Sequence, residues 1–123
     1  MNKVFIALLA GLFCHVAVAA KMEGKTIVYQ KSNGEIRLSP VKGNDQQVKF
    51  AMNTNVDMHA CEVEGTAVII ANSPEQSILQ WQDKSQCRIT LKWGQAKVNV
   101  KASEECNSYC GMNAGNSLNG IYK

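Results

Sequence analysis

Histidine is scarce in this sequence, with two in 123 residues, and the scarcity narrows the chemistry open to it. Only His59 lies beyond the first twenty residues, so an imidazole-rich metal site has little to draw on. The G-x-x-x-x-G-K pattern that cradles a nucleotide phosphate is missing, and so is the G-x-S-x-G pattern of a nucleophile elbow. After residue 20 no apolar run reaches the roughly 18 residues that a membrane-crossing helix requires. Charge of one sign is also lacking: the net value is only +3, too small a bias to argue for nucleic acid as a partner.

What is present begins with an unusual first segment. Lys3 supplies a positive start, Val4 to Phe13 an apolar stretch, and Ala17-Val18-Ala19 a small-x-small pattern. That sequence reads as a secretory signal peptide over residues 1–20, leaving residues 21–123 as one domain. Cys14 precedes no Ser/Gly-rich tether and follows bulky Phe13, so it reads as part of the apolar stretch rather than as a lipid-attachment site. The expected location is bacterial and outside the cytoplasm, periplasmic or secreted.

Four of the five cysteines then remain: Cys61, Cys87, Cys106 and Cys110. An even number in an oxidising compartment predicts two disulfides. Three pairings are possible. The preferred one joins Cys61 to Cys87, at the centres of two strand-like segments, and Cys106 to Cys110, clipping a short loop. The alternative sends Cys61 or Cys87 to the C-terminal pair and ties the tail to the sheet. Zinc is a weaker reading, because the spacings form no pair of C-x-x-C knuckles.

Period-two alternation dominates the domain. Thr26 to Gln30 and Glu35 to Ser39 flank Asn33-Gly34, a hairpin signal. Pro40 to Asp45 reads as a loop and Gln47 to Met52 as a half-buried strand, with Asn53 to Asp57 as a turn. Met58 to Ala71 predicts two short strands or one long bent one, because Gly65 interrupts it as a bulge would. After a short apolar segment over Ser77 to Trp81, Cys87 to Trp93 and Ala96 to Val100 form a second hairpin whose wet face is basic. Ser103-Glu104-Glu105 resembles a helix N-cap and acidic first turn, with Gly111 ending the turn. Leu118, Ile121 and Tyr122 are the expected anchors of the tail. The fold class is all-β: a small antiparallel barrel or sandwich of seven to eight short strands, stabilised by disulfides.

Candidate sites are few. Asp57, His59 and Cys61 share strand parity, but an oxidised Cys61 is no nucleophile. Glu62 and Glu64 are spaced like paired carboxylates, yet adjacent outward positions are where solvated charges belong. Arg88, Lys92, Lys97 and Lys101, with Trp81 and Trp93 nearby, suit an acidic protein partner better than nucleic acid at this net charge. The polar tail adds Ser108, Asn113 and Asn116, which a disulfide would hold rigid for entry into a partner's cleft; the alternative is a tail that wraps one barrel end. No catalytic residue, cofactor or metal ligand is expected.

In its layout of signal segment, small β-rich domain and paired cysteines, the chain resembles the small periplasmic lysozyme inhibitors. It is likewise similar to periplasmic immunity proteins that neutralise cell-wall-degrading toxins. The resemblance implies a monomeric or dimeric binding protein, not an enzyme, whose partner is a secreted or periplasmic peptidoglycan hydrolase. It further implies inhibition by a rigid loop placed in the hydrolase cleft. The competing expectation is a cell-envelope structural or adhesin-like module with no enzyme target.

Overall fold

The computed structural model describes residues 20–111 and 114–123. The predicted signal segment, apart from Ala20, and the candidate Asn113 lie outside the described residues. Nine antiparallel strands form one sheet in which spatial order follows chain order: β1 (Ala20–Glu23), β2 (Thr26–Lys31), β3 (Gly34–Val41), β4 (Asn44–Val56), β5 (His59–Asn72), β6 (Gln76–Gln82), β7 (Arg88–Gly94), β8 (Val98–Ala102) and β9 (Gly120–Tyr122). Two short 3-10 turns, η1 (Glu104–Tyr109) and η2 (Gly115–Leu118), separate β8 from β9.

The sheet curls into a half-barrel whose concave face gathers alternate apolar residues of β2 to β9. Ile36 and Leu38 of β3, Val48, Phe50 and Met52 of β4, Cys61 and Val63 of β5, Leu79 of β6, Ile89 and Leu91 of β7 and Val98 and Val100 of β8 are all buried in one cluster. The curl brings the two sides together where Gln30 and Lys123 exchange both backbone hydrogen bonds. The all-β, disulfide-stabilised expectation holds, with nine strands where seven or eight were predicted. β1 carried too little pattern to stand out, and β9 is only three residues long.

Several boundaries differ from expectation, each for a tertiary reason. Asn53, Thr54 and Asn55 continue β4 instead of turning, because Thr54 points inward and finds a buried partner in Ser117, 2.5 Å away. Pro40 lies in β3 beside a register shift, where a proline's missing N–H is tolerated. β5 runs through Gly65 as one strand. Its register shift falls instead between Ile69 and Ala71. Gly65 serves packing: a Cβ there would stand 2.4 Å from Nε1 of Trp81, whose indole meets Phe50 edge-on at 5.3 Å.

The preferred disulfide pairing is corrected. Cys61 is bonded to Cys110 and Cys87 to Cys106, with Cα separations of 4.0 and 4.5 Å. Cys61 lies on the inner face of β5 and Cys87 just ahead of β7, and the tail returns between them. Among the described residues no helix is long and apolar enough to cross a membrane.

Candidate functional site

One end of the half-barrel is filled by the chain's own tail. Tyr122 and Leu118 are fully buried, and the Tyr122 hydroxyl donates to the Leu118 carbonyl at 2.7 Å. Burial pushes the Tyr122 phenol well above its ordinary pKa. Ser117 donates to the Ala114 carbonyl at 2.6 Å and accepts from Thr54. Lys31 donates to the carbonyls of Ser117 (2.5 Å) and Asn119 (2.7 Å), while its ammonium sits 4.9 Å from the Tyr122 ring centroid. Partial burial lowers the Lys31 pKa. The wrap expected of the tail is therefore present, with Leu118 and Tyr122 as anchors; Ile121 instead faces outward.

Within this plug the segment from Cys106 to Cys110 is fastened twice, to the start of β7 through Cys87 and to β5 through Cys61. The Gly111 N–H donates to the Ala60 carbonyl at 2.9 Å, and a Cβ on Gly111 would approach His59 Cβ to 2.8 Å. Gly111 is thus required by close approach and does not end a helix. Ser103 precedes η1 without capping it; its hydroxyl instead accepts from the Arg88 N–H at 3.0 Å. Asn107 and Ser108 are exposed between the two anchors.

Tyr109 turns inward from the same segment. It donates to a carboxylate oxygen of Asp83 and packs against Trp81 with ring centroids 6.2 Å apart. Asp83 also accepts from the N–H groups of Ser85 and Cys87, both at 2.9 Å. The Tyr109 hydrogen bond, with those from Ser85 and Cys87, holds the Asp83 carboxyl below its usual range. Tyr109 is correspondingly raised, chiefly by that same bond.

The basic residues named from the sequence share the outer wall formed by β7 and β8. Arg88, Thr90 and Lys92 point outward from β7, and register places Thr90 opposite Lys101 and Lys92 opposite Asn99. Lys97, just ahead of β8, has the same parity. All four cations are exposed. Among the described residues the ion pairs are those of Arg37 with Glu23 and Glu35, so none of the four has an acidic side chain within bonding reach. Arg88 is oriented by Gln82, whose amide oxygen accepts at 3.0 and 3.2 Å.

The outer face of β3 to β5 has a different sign. Glu35 and Arg37 face Asn53 and Ala51, which in turn face Glu62 and Glu64, and these side chains line a shallow depression. The small net charge therefore conceals a basic wall and a mainly acidic one.

The named candidates thus fall into two groups. Arg88, Lys92, Lys97 and Lys101 form the strip, whereas Ser108 and Asn116 are exposed on the plug at one end. Arg88 and Ser103 join strip to plug: the Ser103 N–H donates to the Arg88 carbonyl, and the Arg88 N–H donates to the Ser103 hydroxyl. Asp57 occupies the β4–β5 turn with φ 56°, His59 is exposed beside it, and Cys61 is oxidised, so these three assemble no thiol-based relay. The sequence did not single out Asp83, Tyr109 or Gln82, which hold the plug and orient the strip. Asp83-x-Ser85 carried a local turn signal; the long-range partners carried none. Comparison of the chain with protein-family models, curated proteins and solved structures finds no match.

Proposed function

We propose that the protein is an extracytoplasmic binding protein that inhibits a peptidoglycan hydrolase, docking its basic β7–β8 wall against the acidic cleft of that enzyme. One observation carries the reading: four exposed cations without acidic partners among the described residues, Arg88, Lys92, Lys97 and Lys101, lie on or beside the β7–β8 hairpin, which adjoins a doubly disulfide-anchored segment. Enzymes that cleave sugar chains use paired carboxylates, and a basic surface both steers toward such a cleft and discriminates against basic partners. The anchored segment presents the Asn107 amide as a neutral donor, while the Ser108 hydroxyl donates to the Glu105 carbonyl at 3.3 Å and offers its oxygen as an acceptor. Because two disulfides hold it, little conformational entropy is lost on binding.

Two disulfides and the secretory leader predicted from residues 1–20 support placement outside the cytoplasm, in the periplasm or beyond. Size exclusion of the oxidised protein mixed with lysozymes of several classes and with cell-wall amidases tests the proposal. A co-eluting complex with suppressed hydrolysis is the expected result. Failure to bind any member of that panel would sink it in favour of an envelope structural role.

A further inference from the structure

The two ends of the half-barrel are built differently. The plug of η1 and η2 fills one, whereas among the described residues the other is bounded by the turns after β1, β3, β5 and β7. At this open end the inward side chains Ile27, Leu38, Val48, Ile69 and Trp93 line a cup of about 360 Å³. Leu38 and Val48 form buried parts of its wall, while Ile27, Ile69 and Trp93 are partly buried and packed against the core. That volume falls in the usual range for small-molecule sites, and barrel mouths are among their preferred places.

Two further features distinguish this end. Both ladder irregularities of the sheet, at Pro40/Val41 and at Ile69/Ala71, fall beside the cup; such bulges splay a barrel rim and re-aim side chains. The indole N–H of Trp93 donates to the Tyr29 hydroxyl at 2.8 Å. That bond fixes the ring and consumes its one donor, so the wall it offers is apolar. Water against this apolar wall finds few partners and is readily displaced by an apolar group, whereas Ser39, Asn44, Asp45 and Gln47 offer polar groups around the rest of the lining.

The rim carries Lys25 and Asp45. Lys25 is exposed, has no acidic partner among the described residues, and has a long flexible stem that reaches over an adjacent opening. Asp45 is likewise exposed at the rim, and its short side chain has less reach than the lysine stem. We propose that the mouth binds a small aryl carboxylate, its ring system seated against Trp93 and its carboxylate paired with Lys25. The site is independent of the basic wall and needs no hydrolase.

The test uses 2-naphthoate as probe, titrated into the full oxidised protein and followed by NMR of the isoleucine, leucine and valine methyls and of the indole N–H signals. Saturable shifts confined to Ile27, Leu38, Val48, Ile69 and Trp93 are expected, with Lys25→Glu weakening the probe about tenfold, as loss of one ion pair would. A naphthyl-trimethylammonium analogue is expected to bind more weakly than the carboxylate. No saturable shift, or shifts centred on the plug, would overturn the site. Equal binding by the Lys25→Glu variant, or preference for the cation, would overturn the assignment of an anionic ligand.

Discussion

Cys61 and Cys110 lie 49 residues apart in the chain and 4.0 Å apart at Cα, and the disulfide between them fastens the end of the β4–β5 hairpin to the tail. A second bond, Cys87 to Cys106, spans 19 residues. Loop-closure entropy assigns roughly 4 kcal/mol to the longer link and roughly 3 kcal/mol to the shorter. Replacing Cys61 and Cys110 together by serine is therefore expected to destabilise more than replacing Cys87 and Cys106 together, as chemical unfolding would measure. Partial proteolysis of the first variant should release the tail while β2 to β8 stay protected; equal protection of the tail would contradict the plug.

The Asp83–Tyr109 bond makes the plug sensitive to acid. The folded carboxyl has its pKa depressed, so its contribution is fully present above the unfolded value, near 3.8, and is lost as pH falls through the folded value. Tyr109→Phe removes the largest cause of the depression. The expected outcome is a smaller loss of stability between neutral pH and about pH 2 in the variant than in the parent, read from urea midpoints across that range. Parallel pH profiles would show that the bond contributes nothing.

Thr54 and Ser117 form a buried hydroxyl pair in which Thr54 donates to Ser117 and Ser117 donates to the Ala114 carbonyl. Ser117→Ala would strand the Thr54 donor at a cost of about 1–3 kcal/mol. Thr54→Val removes the donor, and in the double variant no hydroxyl is left unmet. The double variant is thus expected to cost less than the two single ones added together, by at least about 0.5 kcal/mol. Strict additivity in denaturant unfolding would show that the two hydroxyls do not act as a pair.

At Gly65 the relevant property is the absence of a side chain. Gly65→Ala places a methyl group against the Trp81 indole, which is held between Phe50 and Tyr109. Overpacking of this kind costs about 1–3 kcal/mol. Displacement of Trp81 should also change the near-ultraviolet circular dichroism; an unaltered spectrum with unaltered stability would contradict the close packing of Trp81 over Gly65.

Alternation carried most of the architecture in the sequence. Cys87 to Trp93 reads as a strand because every second residue is apolar, and the basic wet face of Arg88, Lys92, Lys97 and Lys101 follows from the same period of two. What escaped was fixed by distant partners. Asn53 to Asn55 looks like a turn until Ser117, more than sixty residues later, satisfies Thr54. Gly65 looks like a bulge until Trp81 folds over it. The disulfide pairing depends on where the tail returns, and the neighbouring half-cystines Cys106 and Cys110 reach different places, the segment just ahead of β7 and strand β5. The open mouth was equally hidden, since Ile27, Leu38, Val48, Ile69 and Trp93 come from five strands and share no local motif.

The most direct measurement is the affinity of the oxidised protein for a captured cell-wall hydrolase, compared with that of a Lys92→Glu/Lys101→Glu variant by surface plasmon resonance at two salt concentrations. Both side chains are exposed, so the unfolding midpoint of the variant should stay close to the parent's. The account predicts at least about a tenfold loss of affinity, carried largely by slower association, and a weaker salt dependence. A variant that binds the hydrolase as tightly as the parent, with the same salt dependence, would contradict docking through the β7–β8 wall.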